Sequence, residues 1–369
     1  MAADLRLGID VGGTNTDAVV LDREDRLCAK TKRPTTPDVT SGIRAAIDGV
    51  VEGSDFDVAR IGHVMLGTTH ATNAVLQRRD LGRVAVLRLA APATFAVPPL
   101  SGWPTDLRST ISAGEAIVAG GIEFDGRELS AFDREAAKRF LGSVAGSAEA
   151  IAIVSVFAPV SERQELEAAE LVRAQLGDVH VSLSHEIGSV GLLERENATV
   201  LNAALVEVAG RVAEALTDAL YTHGIQATTF FAQNDGTLMA LDYATRHPVL
   251  TIGSGPANSI RGAAYLTGRK DAIVADLGGT STDVGVLVGG FPRESAYGVT
   301  IGGIDTNFRM PDLVTIALGG GTVISADGGA VRTGPRSVGF RLTEEALVFG
   351  GSTPTLTDAA VVHGRARLG

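Results

Sequence analysis

An eight-residue motif that is rich in Asp, Gly and Thr occurs twice in this chain of 369 residues. Residues 10–17 read D-V-G-G-T-N-T-D and residues 276–283 read D-L-G-G-T-S-T-D, so six of the eight positions are identical. Adjacent glycines allow consecutive backbone N–H groups to point into one concavity, which binds anions such as phosphate. An Asp can hold Mg²⁺, directly or through water, because this ion prefers hard oxygen ligands. The repeat therefore predicts a paired phosphate and magnesium site.

The two copies suggest distinct roles for their acidic and small residues. Asp10 and Asp276 are expected to hold Mg²⁺, and Asp17 or Asp283 to orient water or a hydroxyl. The groups expected to cradle phosphate belong to Gly12, Gly13, Thr14, Asn15, Gly278, Gly279, Thr280 and Ser281. Two ordinary tight hairpins are the alternative, which the shared Asp, Gly and Thr positions disfavour. The chain has no Gly-Lys dipeptide, so it lacks the G-x-x-x-x-G-K-[ST] phosphate loop.

Apolar segments on both sides of each copy indicate how the motif is positioned. Residues 5–9 and 272–275 precede the copies, and residues 18–21 and 284–288 follow them. Each copy is therefore predicted to be a β-hairpin with a glycine-rich tip. Elsewhere short apolar strands alternate with amphipathic helices, including a long one over 192–221, which indicates an α/β fold with mixed sheets.

Three other segments have local patterns of their own. A helix that ends near residue 51 is expected to be capped within residues 35–38. A second helix over 68–77 would hold polar side chains at its start. Residues 90–121 contain several prolines and are predicted to form an inserted irregular loop.

The overall composition narrows the classes of function. At ~150 residues per domain the length suggests two domains, which we place at 1–185 and 186–369. The formal net charge of −11 argues against nucleic-acid or anionic-membrane partners. The longest apolar run, 151–160, falls far short of the ~20 residues that span a bilayer. A single cysteine, Cys28, excludes an intramolecular disulfide and fits a reducing, cytoplasmic compartment.

Three further segments, together with the two hairpin motifs, carry a family resemblance. Residues 67–74 read G-T-T-H-A-T-N-A, residues 194–199 read E-R-E-N-A-T, and residues 254–257 read S-G-P-A. In combination they resemble the hydantoinase A/5-oxoprolinase family, from residue 5 to about residue 368. The resemblance implies a duplicated ATPase fold of the actin, hexokinase and Hsp70 type, which is ribonuclease H-like. In that fold the helix over 256–266 would cross between the halves at the hinge.

The resemblance also implies an activity, the ATP- and Mg²⁺-dependent opening of a cyclic amide such as a hydantoin, 5-oxoproline or another lactam. Phosphorylation of the amide oxygen would create a leaving group, so that water could attack the ring carbon. Candidates for the substrate side are Thr68, Thr69, Thr72 and Asn73. Two alternatives stay open: a small-molecule kinase on the same fold, and a non-catalytic subunit of a larger complex. A second subunit or a homo-oligomer is a possible partner.

Relatives in this family are expected to continue well beyond residue 369, so the second half of the fold is expected to be incomplete. The chain alone is then expected to bind ATP weakly. An unfinished half would also expose apolar surface, which favours self-association or a partner. The residues where we expect this exposure are Val286, Leu313, Ile316 and Leu347.

Two glycine-containing segments have open interpretations. Gly319, Gly320 and Gly321 follow an apolar run and could contact ATP or pack beneath a hairpin. Residues 233–237 read Q-N-D-G-T and follow a predicted strand. This loop is either a simple polar turn or part of the cleft, because α/β sheets bind ligands at the carboxyl ends of their strands.

Four further titratable side chains have no role assigned to them above. His180 and His185 flank an apolar strand and are expected to be structural rather than metal ligands. Glu194 and Glu196 belong to the predicted long helix and are expected to be solvated or to cap that helix.

Overall fold

The computed structural model describes residues 3–12, 15–34, 39–295, 298–327 and 329–368. Within these ranges the strands are β1 (Leu5–Val11), β2 (Asn15–Leu21), β3 (Leu27–Pro34), β4 (Ile61–Thr68), β5 (Val84–Ala91), β6 (Ser112–Ala119), β7 (Ala150–Ser155), β8 (His180–Leu183), β9 (Thr228–Ala232), β10 (Leu238–Ala240), β11 (Ala272–Leu277), β12 (Thr282–Val288), β13 (Phe291–Pro292), β14 (Val299–Ile301), β15 (Ile304–Thr306), β16 (Leu313–Ile316), β17 (Thr322–Asp327) and β18 (Ala330–Ser337). The α-helices are α1 (Val39–Glu52), α2 (His70–Gln77), α3 (Thr105–Ile111), α4 (Arg134–Val144), α5 (Arg163–Leu176), α6 (Ser184–Ile187), α7 (Leu192–Thr222), α8 (Leu241–Arg246), α9 (Ser254–Thr267), α10 (Leu342–Glu345) and α11 (Leu356–Val362).

The first sheet has six strands in the order β10-β9-β4-β1-β2-β3. β1, β2 and β3 form an antiparallel meander, and β4 pairs in parallel with the other edge of β1. Every second residue of β1, from Leu5 to Val11, is buried, as expected for a strand with one face on a core. This face packs against α1 and the second half of α7 through residues such as Ile43, Ile47 and Leu216.

The second sheet has four parallel strands in the order β6-β5-β7-β8. All eight residues of β5 are buried, which is typical of a parallel strand that is covered on both faces. On one face, Leu87 and Ile153 pack against α4 and α5. On the other, Val86 packs against the first half of α7, so that this single helix contributes to the cores of both sheets.

The prediction of an irregular loop over 90–121 is wrong. The segment contains α3 and β6, and its Trp103 is buried with the indole N–H donating to Oδ1 of Asn197 at 2.7 Å. α3 itself contains no proline. Pro104 immediately precedes its first residue, and a proline at the start of a helix is tolerated. β6 reads S-A-G-E-A-I-V-A and has a weak local strand signal, so its pairing with β5 determines its conformation.

The other predicted helices agree with the structure to within a few residues. The helices over 192–221 and 68–77 correspond to α7 and α2, and the small-residue helix over 256–266 lies within α9. The cap predicted within 35–38 lies outside the described residues. No helix in the described part of the chain combines the length and the apolar character that crossing a bilayer requires.

The third sheet repeats the beginning of the first. β11 and β12 form an antiparallel hairpin, and β16 adds a third antiparallel strand beside β12. α9 packs on this sheet with Ile260 in contact with Gly285, where any larger residue would collide with the Ile260 side chain. A glycine in β12 therefore permits the close approach of α9.

One face of the third sheet is exposed where the corresponding face of the first sheet is buried. Alignment of the two motif copies places Ile273 and Leu277 at the positions of Leu7 and Val11. The first pair is 77% and 71% exposed, whereas the second pair is 0% and 2% exposed. In the first sheet α1 and α7 cover this face, and the described residues provide no equivalent cover for the third sheet.

The apolar exposure expected around four residues is confirmed for two of them. Ile316 and Leu347 are exposed, whereas Val286 and Leu313 are half-buried. The side chain of Leu313 packs over Gly285 beside Ile260, which explains its partial burial.

The exposed face of the third sheet predicts self-association, because contiguous apolar patches favour association in water. We expect the double variant Ile273→Lys, Leu277→Lys to shift the chain toward the monomer in analytical ultracentrifugation. The control is Leu27→Lys, which changes an exposed leucine at the start of β3. An unchanged mass distribution in the double variant would contradict this prediction.

Candidate functional site

The two motif copies form hairpins with the same backbone register. Asp10 pairs with Asp17 across the first hairpin, and Asp276 pairs with Asp283 across the second. The turn is closed in the same way in both, by Gly12 N–H to Asn15 O at 3.0 Å and by Gly278 N–H to Ser281 O at 2.9 Å. The hairpin prediction is therefore confirmed. Gly13 and Thr14 of the first tip lie outside the described residues.

The first carboxylates of the two hairpins lie near one another although 266 positions separate them in the sequence. Desolvation raises the pKa of Asp10, and the charges of Asp17 and Asp276 raise it further against the opposing charge of Lys32. Asp10 lines a cavity of about 250 Å³ together with Asp17, Gly67 and other residues of β1, β2 and β4. The charge of Asp276 thus acts on Asp10, although Asp276 is not among the residues that line this cavity.

A third strand flanks each hairpin and gives the second carboxylates different partners. Lys32 of β3 lies opposite Asp17, and its Nζ lies 2.9 Å from Oδ2 of that carboxylate. Thr315 of β16 lies at the matching position opposite Asp283 and donates its hydroxyl to Oδ1 at 2.6 Å. Within the described residues Asp283 has no cationic partner, so the two hairpins differ in charge although their backbones match.

The G-T-T segment packs against the first hairpin. A Cβ on Gly67 would lie 2.9 Å from Oδ1 of Asp10, so the carboxylate occupies the space that a side chain would fill. The two threonines that follow Gly67 form hydrogen bonds within the protein. Thr69 donates its N–H and its hydroxyl to Val11 O, both at 3.2 Å. Thr68 Oγ1 accepts the N–H of His70 at the start of α2.

The remaining two substrate-side candidates are also bonded within the protein. Thr72 Oγ1 accepts the N–H of Gly253 at 3.3 Å, and Asn73 donates its amide to Thr69 Oγ1 at 3.3 Å. The segment therefore joins the start of α2 to the start of α9. Contact between these side chains and a substrate stays a prediction. A substrate would have to share their hydroxyls with the protein groups that already bond to them.

The three-glycine run packs directly on the tip of the second hairpin. Gly320 N–H donates to Gly278 O at 3.0 Å and Gly321 N–H donates to Gly279 O at 2.7 Å. A Cβ on Gly319 would lie 2.7 Å from Thr280 N, so only glycine permits this approach. The packing interpretation of these glycines is confirmed, and their contact with ATP stays a prediction.

The loop after β9 carries a buried polar side chain. Asn234 is fully buried, and no described residue provides a hydrogen-bond partner for either of its amide atoms. Its backbone N–H donates to Leu250 O at 2.9 Å. Ala232, two residues earlier, lines the same cavity as Asp10, so the loop lies next to the cleft rather than at a remote surface.

Glu196 contradicts the expectation of a solvated or capping residue. It is 1% exposed and forms two hydrogen bonds with the guanidinium of Arg88, both at 2.6 Å, and Arg88 is 0% exposed. Arg88 also donates to Val97 O at 2.6 Å. Sequence reasoning missed this pair because 108 positions separate its members. Glu194, in the first turn of α7, is half-buried.

The two histidines have structural surroundings, in keeping with our expectation. His185 Nδ1 lies 2.6 Å from the buried carboxylate of Glu165, whose charge and hydrogen bond outweigh desolvation and raise the pKa of His185. Burial, together with the charge of His247, lowers the pKa of His180 to about 4. In the described part of the chain, no group of three or more His, Cys, Asp or Glu could hold a metal ion.

The raised pKa of Asp10 predicts pH-dependent metal binding. The folded state retains the proton of Asp10 to a pH above the ordinary pKa of 3.8. A Mg²⁺ ion at Asp10 would compete with that proton. We therefore expect Mg²⁺ affinity to fall as the pH is lowered toward the raised pKa of Asp10, in calorimetric titrations with a non-hydrolysable ATP analogue present. Asp17→Asn removes a charge that raises this pKa, so the fall should move to lower pH. A shift in the opposite direction would contradict our assignment of its cause.

Comparisons with known proteins agree with this architecture. The family model described as Hydantoinase/oxoprolinase N-terminal region matches residues 6–176, and the model described as Hydantoinase/oxoprolinase matches residues 195–367. The chain is 30% identical to caprolactamase subunit alpha of Pseudomonas jessenii, over 97% of this chain and 54% of that protein. It is 28% identical to the acetophenone carboxylase gamma subunit of Aromatoleum aromaticum, over 97% of this chain and 53% of that protein. The chain thus spans about half the length of these relatives.

A solved structure supports the same conclusion for the fold. The crystal structure of ATP-dependent caprolactamase from Pseudomonas jessenii superposes with a TM-score of 0.79 at 28% identity, covering 99% of this chain and 55% of that one. The expected duplicated α/β fold of the actin-like ATPase type is therefore confirmed. With both family models matched along nearly the whole chain, the protein belongs to the hydantoinase/oxoprolinase family.

Proposed function

We propose that this chain binds Mg²⁺ and ATP between its two hairpin tips and takes part in the ATP-dependent opening of a cyclic amide. The observation that carries the proposal is the approach of Asp10 and Asp276 from two hairpins of identical register. Ordinary hairpins have no reason to bring two carboxylates together, because like charges that share a cleft repel one another. A dication between them removes this cost.

The donor set of the cleft fits Mg²⁺. This ion usually keeps several waters and is held by one or two carboxylates plus phosphate oxygens. Asp10 and Asp276 supply two hard oxygen donors, and the remaining positions suit water and phosphate. When bound, the ion would neutralise charge that develops on the transferring phosphoryl group. The residues that would hold it are the two aspartates alone.

The hairpin tips are the groups that we assign to the phosphates. Backbone N–H groups of the glycine-rich turns are suitable donors for phosphate oxygens. In the second tip the backbone around Gly279 is held in place by the three glycines that pack on it. The N–H groups of Gly12 and Gly278 close the two turns, so the residues assigned this role are Gly13, Thr14, Asn15, Gly279, Thr280 and Ser281.

The reaction would proceed in three balanced steps. First the amide oxygen of the ring attacks the γ-phosphorus, an O–P bond forms and ADP leaves. Water then attacks the ring carbon, and the C–N bond breaks with a proton passing to nitrogen, which leaves an acyl phosphate. A second water hydrolyses this acyl phosphate to the carboxylate and inorganic phosphate. Asp283 is the residue that we assign to orient the hydroxyl or water, because it has a hydroxyl partner and the described residues provide no cation to neutralise it. Asp17 has Lys32 as its partner and is the less suitable of the two.

A second subunit is part of the proposal. The names of two relatives describe them as subunits, caprolactamase subunit alpha and acetophenone carboxylase gamma subunit. The substrate side, for which Thr68, Thr69, Thr72 and Asn73 are candidates, would then be completed by a partner chain. A non-catalytic role of this chain within such a complex is the alternative that this comparison favours.

The test is a panel of cyclic amides, including hydantoin, 5-oxoproline and caprolactam, scored for stimulated release of phosphate from Mg-ATP by the chain with its co-purifying partner. We expect at least one ring compound to stimulate release, with the opened ring as the product. A stable phosphorylated hydroxyl compound would support a kinase instead. Absence of nucleotide binding even with the partner present would support the non-catalytic role.

A further inference from the structure

α9 sends two consecutive side chains to the two hairpins. Ser259 donates its hydroxyl to Oδ2 of Asp276 at 2.5 Å. Asn258 lies beside Asp10: a Cβ on Gly67 would be 2.6 Å from Nδ2 of Asn258 and 2.9 Å from Oδ1 of Asp10. One turn of α9 thus contacts Asp276 and lies close to Asp10, the two carboxylates that we assign to the metal.

The position of this turn is fixed by apolar packing. Ala257 and Ile260, on either side of the pair, are buried, and Ile260 packs against Gly285 of β12. A rigid helix is a precise support for a positioning group. The hydroxyl of Ser259 therefore has a defined location relative to Asp276.

The hydrogen bond makes the two oxygens of Asp276 unequal. Oδ2 is occupied by the serine, whereas the described residues offer no donor to Oδ1. A carboxylate with one oxygen engaged is suited to bind a cation through the other oxygen alone. Ca²⁺ accepts bidentate carboxylates and six to eight ligands, whereas Mg²⁺ requires near-octahedral geometry with single oxygen contacts and retained waters.

We propose that Ser259 is a positioning residue that restricts Asp276 to monodentate binding and so makes the cleft select Mg²⁺ over Ca²⁺. This inference rests on the proposed function, because it assumes that a metal binds at Asp276. Removal of the hydroxyl would free Oδ2, and a larger cation could then bind both oxygens.

The experiment measures metal binding rather than turnover. Mn²⁺ bound in the presence of a non-hydrolysable ATP analogue is followed by electron paramagnetic resonance and displaced with Mg²⁺ or Ca²⁺. For Ser259→Ala we expect the preference for Mg²⁺ over Ca²⁺ to fall by roughly threefold to tenfold, the range that loss of one typical hydrogen bond produces. Ser259→Thr, which keeps the hydroxyl, should restore the preference.

The matched control is Thr267→Val, which removes a hydroxyl at the far end of the same helix, where it donates to Ala263 O at 2.7 Å. Its metal preference should equal that of the unaltered protein. An unchanged preference in Ser259→Ala overturns this inference while leaving the proposed function intact. Failure of the unaltered protein to bind Mn²⁺ in the presence of the nucleotide and of its co-purifying partner overturns the proposed function and the inference together.

Discussion

Asp276→Asn is expected to abolish ATP turnover while leaving the fold intact. The change preserves the size of the side chain, and an Asn side-chain oxygen can still accept the Ser259 hydroxyl. What is lost is the negative charge that offsets Mg²⁺ in the cleft. Loss of one preorganised electrostatic group costs ~10²-fold or more in rate, and this is the decrease that we expect in steady-state phosphate release.

The matched control for Asp276→Asn is Asp305→Asn. Asp305 also accepts a hydroxyl hydrogen bond, from Thr300 at 2.6 Å, but it belongs to the β14–β15 hairpin rather than to either of the glycine-rich hairpins. We expect its turnover to match that of the unaltered protein. Both variants should unfold at unchanged temperatures. Full turnover by Asp276→Asn would remove this residue from the mechanism.

Arg88→Met is expected to destabilise the fold strongly, because it leaves the carboxylate of Glu196 buried without its cation. Removal of one partner from a buried ion pair typically costs about 3–5 kcal/mol in the free energy of unfolding. Among the residues that the structure describes, the remaining hydrogen-bond donor to that carboxylate is the Leu100 N–H, at 3.4 Å, which cannot replace two charge-assisted bonds. Urea denaturation followed by circular dichroism measures the loss.

An exposed ion pair provides the comparison for Arg88→Met. Arg134 and Glu167 pair at the surface between α4 and α5, and Arg134→Met should cost no more than about 1 kcal/mol, the usual limit for solvated pairs. The double variant Arg88→Met, Glu196→Leu should recover part of the stability lost by the single one, since no unpaired charge then remains. A loss below that of Arg134→Met would show that the buried pair does not stabilise the fold.

The sequence was sufficient to predict the elements that depend on residues close together in the chain. The hairpins depend on a few adjacent residues, in which apolar strands flank two glycines, so their backbone geometry follows from residues 5–21 and 272–288. The same holds for α7, because its apolar residues recur with helical spacing. Local sequence was sufficient in these cases because the turn and the helix are stabilised mainly by short-range contacts.

Features that depend on distant partners could not be predicted in this way. Glu196 resembles any helical glutamate until Arg88 of β5 is brought against it. β6 has few strand-forming residues, and it becomes a strand because β5 offers an unpaired edge. Ser259 likewise gave no signal, since its significance comes from Asp276, which lies on a different element. Each of these required knowledge of tertiary contacts.

The strands beside the two hairpins differ in charge, so the electrostatic field around the hairpins is asymmetric. Lys32 compensates one carboxylate at the first tip, whereas Thr315 is neutral, and no described residue forms an ion pair with either carboxylate of the second tip. A duplicated unit that had kept both its shape and its charges would present a symmetric field, in which a chain of phosphates could lie in either direction. Here the substitution of one side chain on a neighbouring strand breaks that symmetry. Under the proposed function this field would distinguish the two ends of a polyphosphate, and a residue that need not touch the bound molecule would set its orientation.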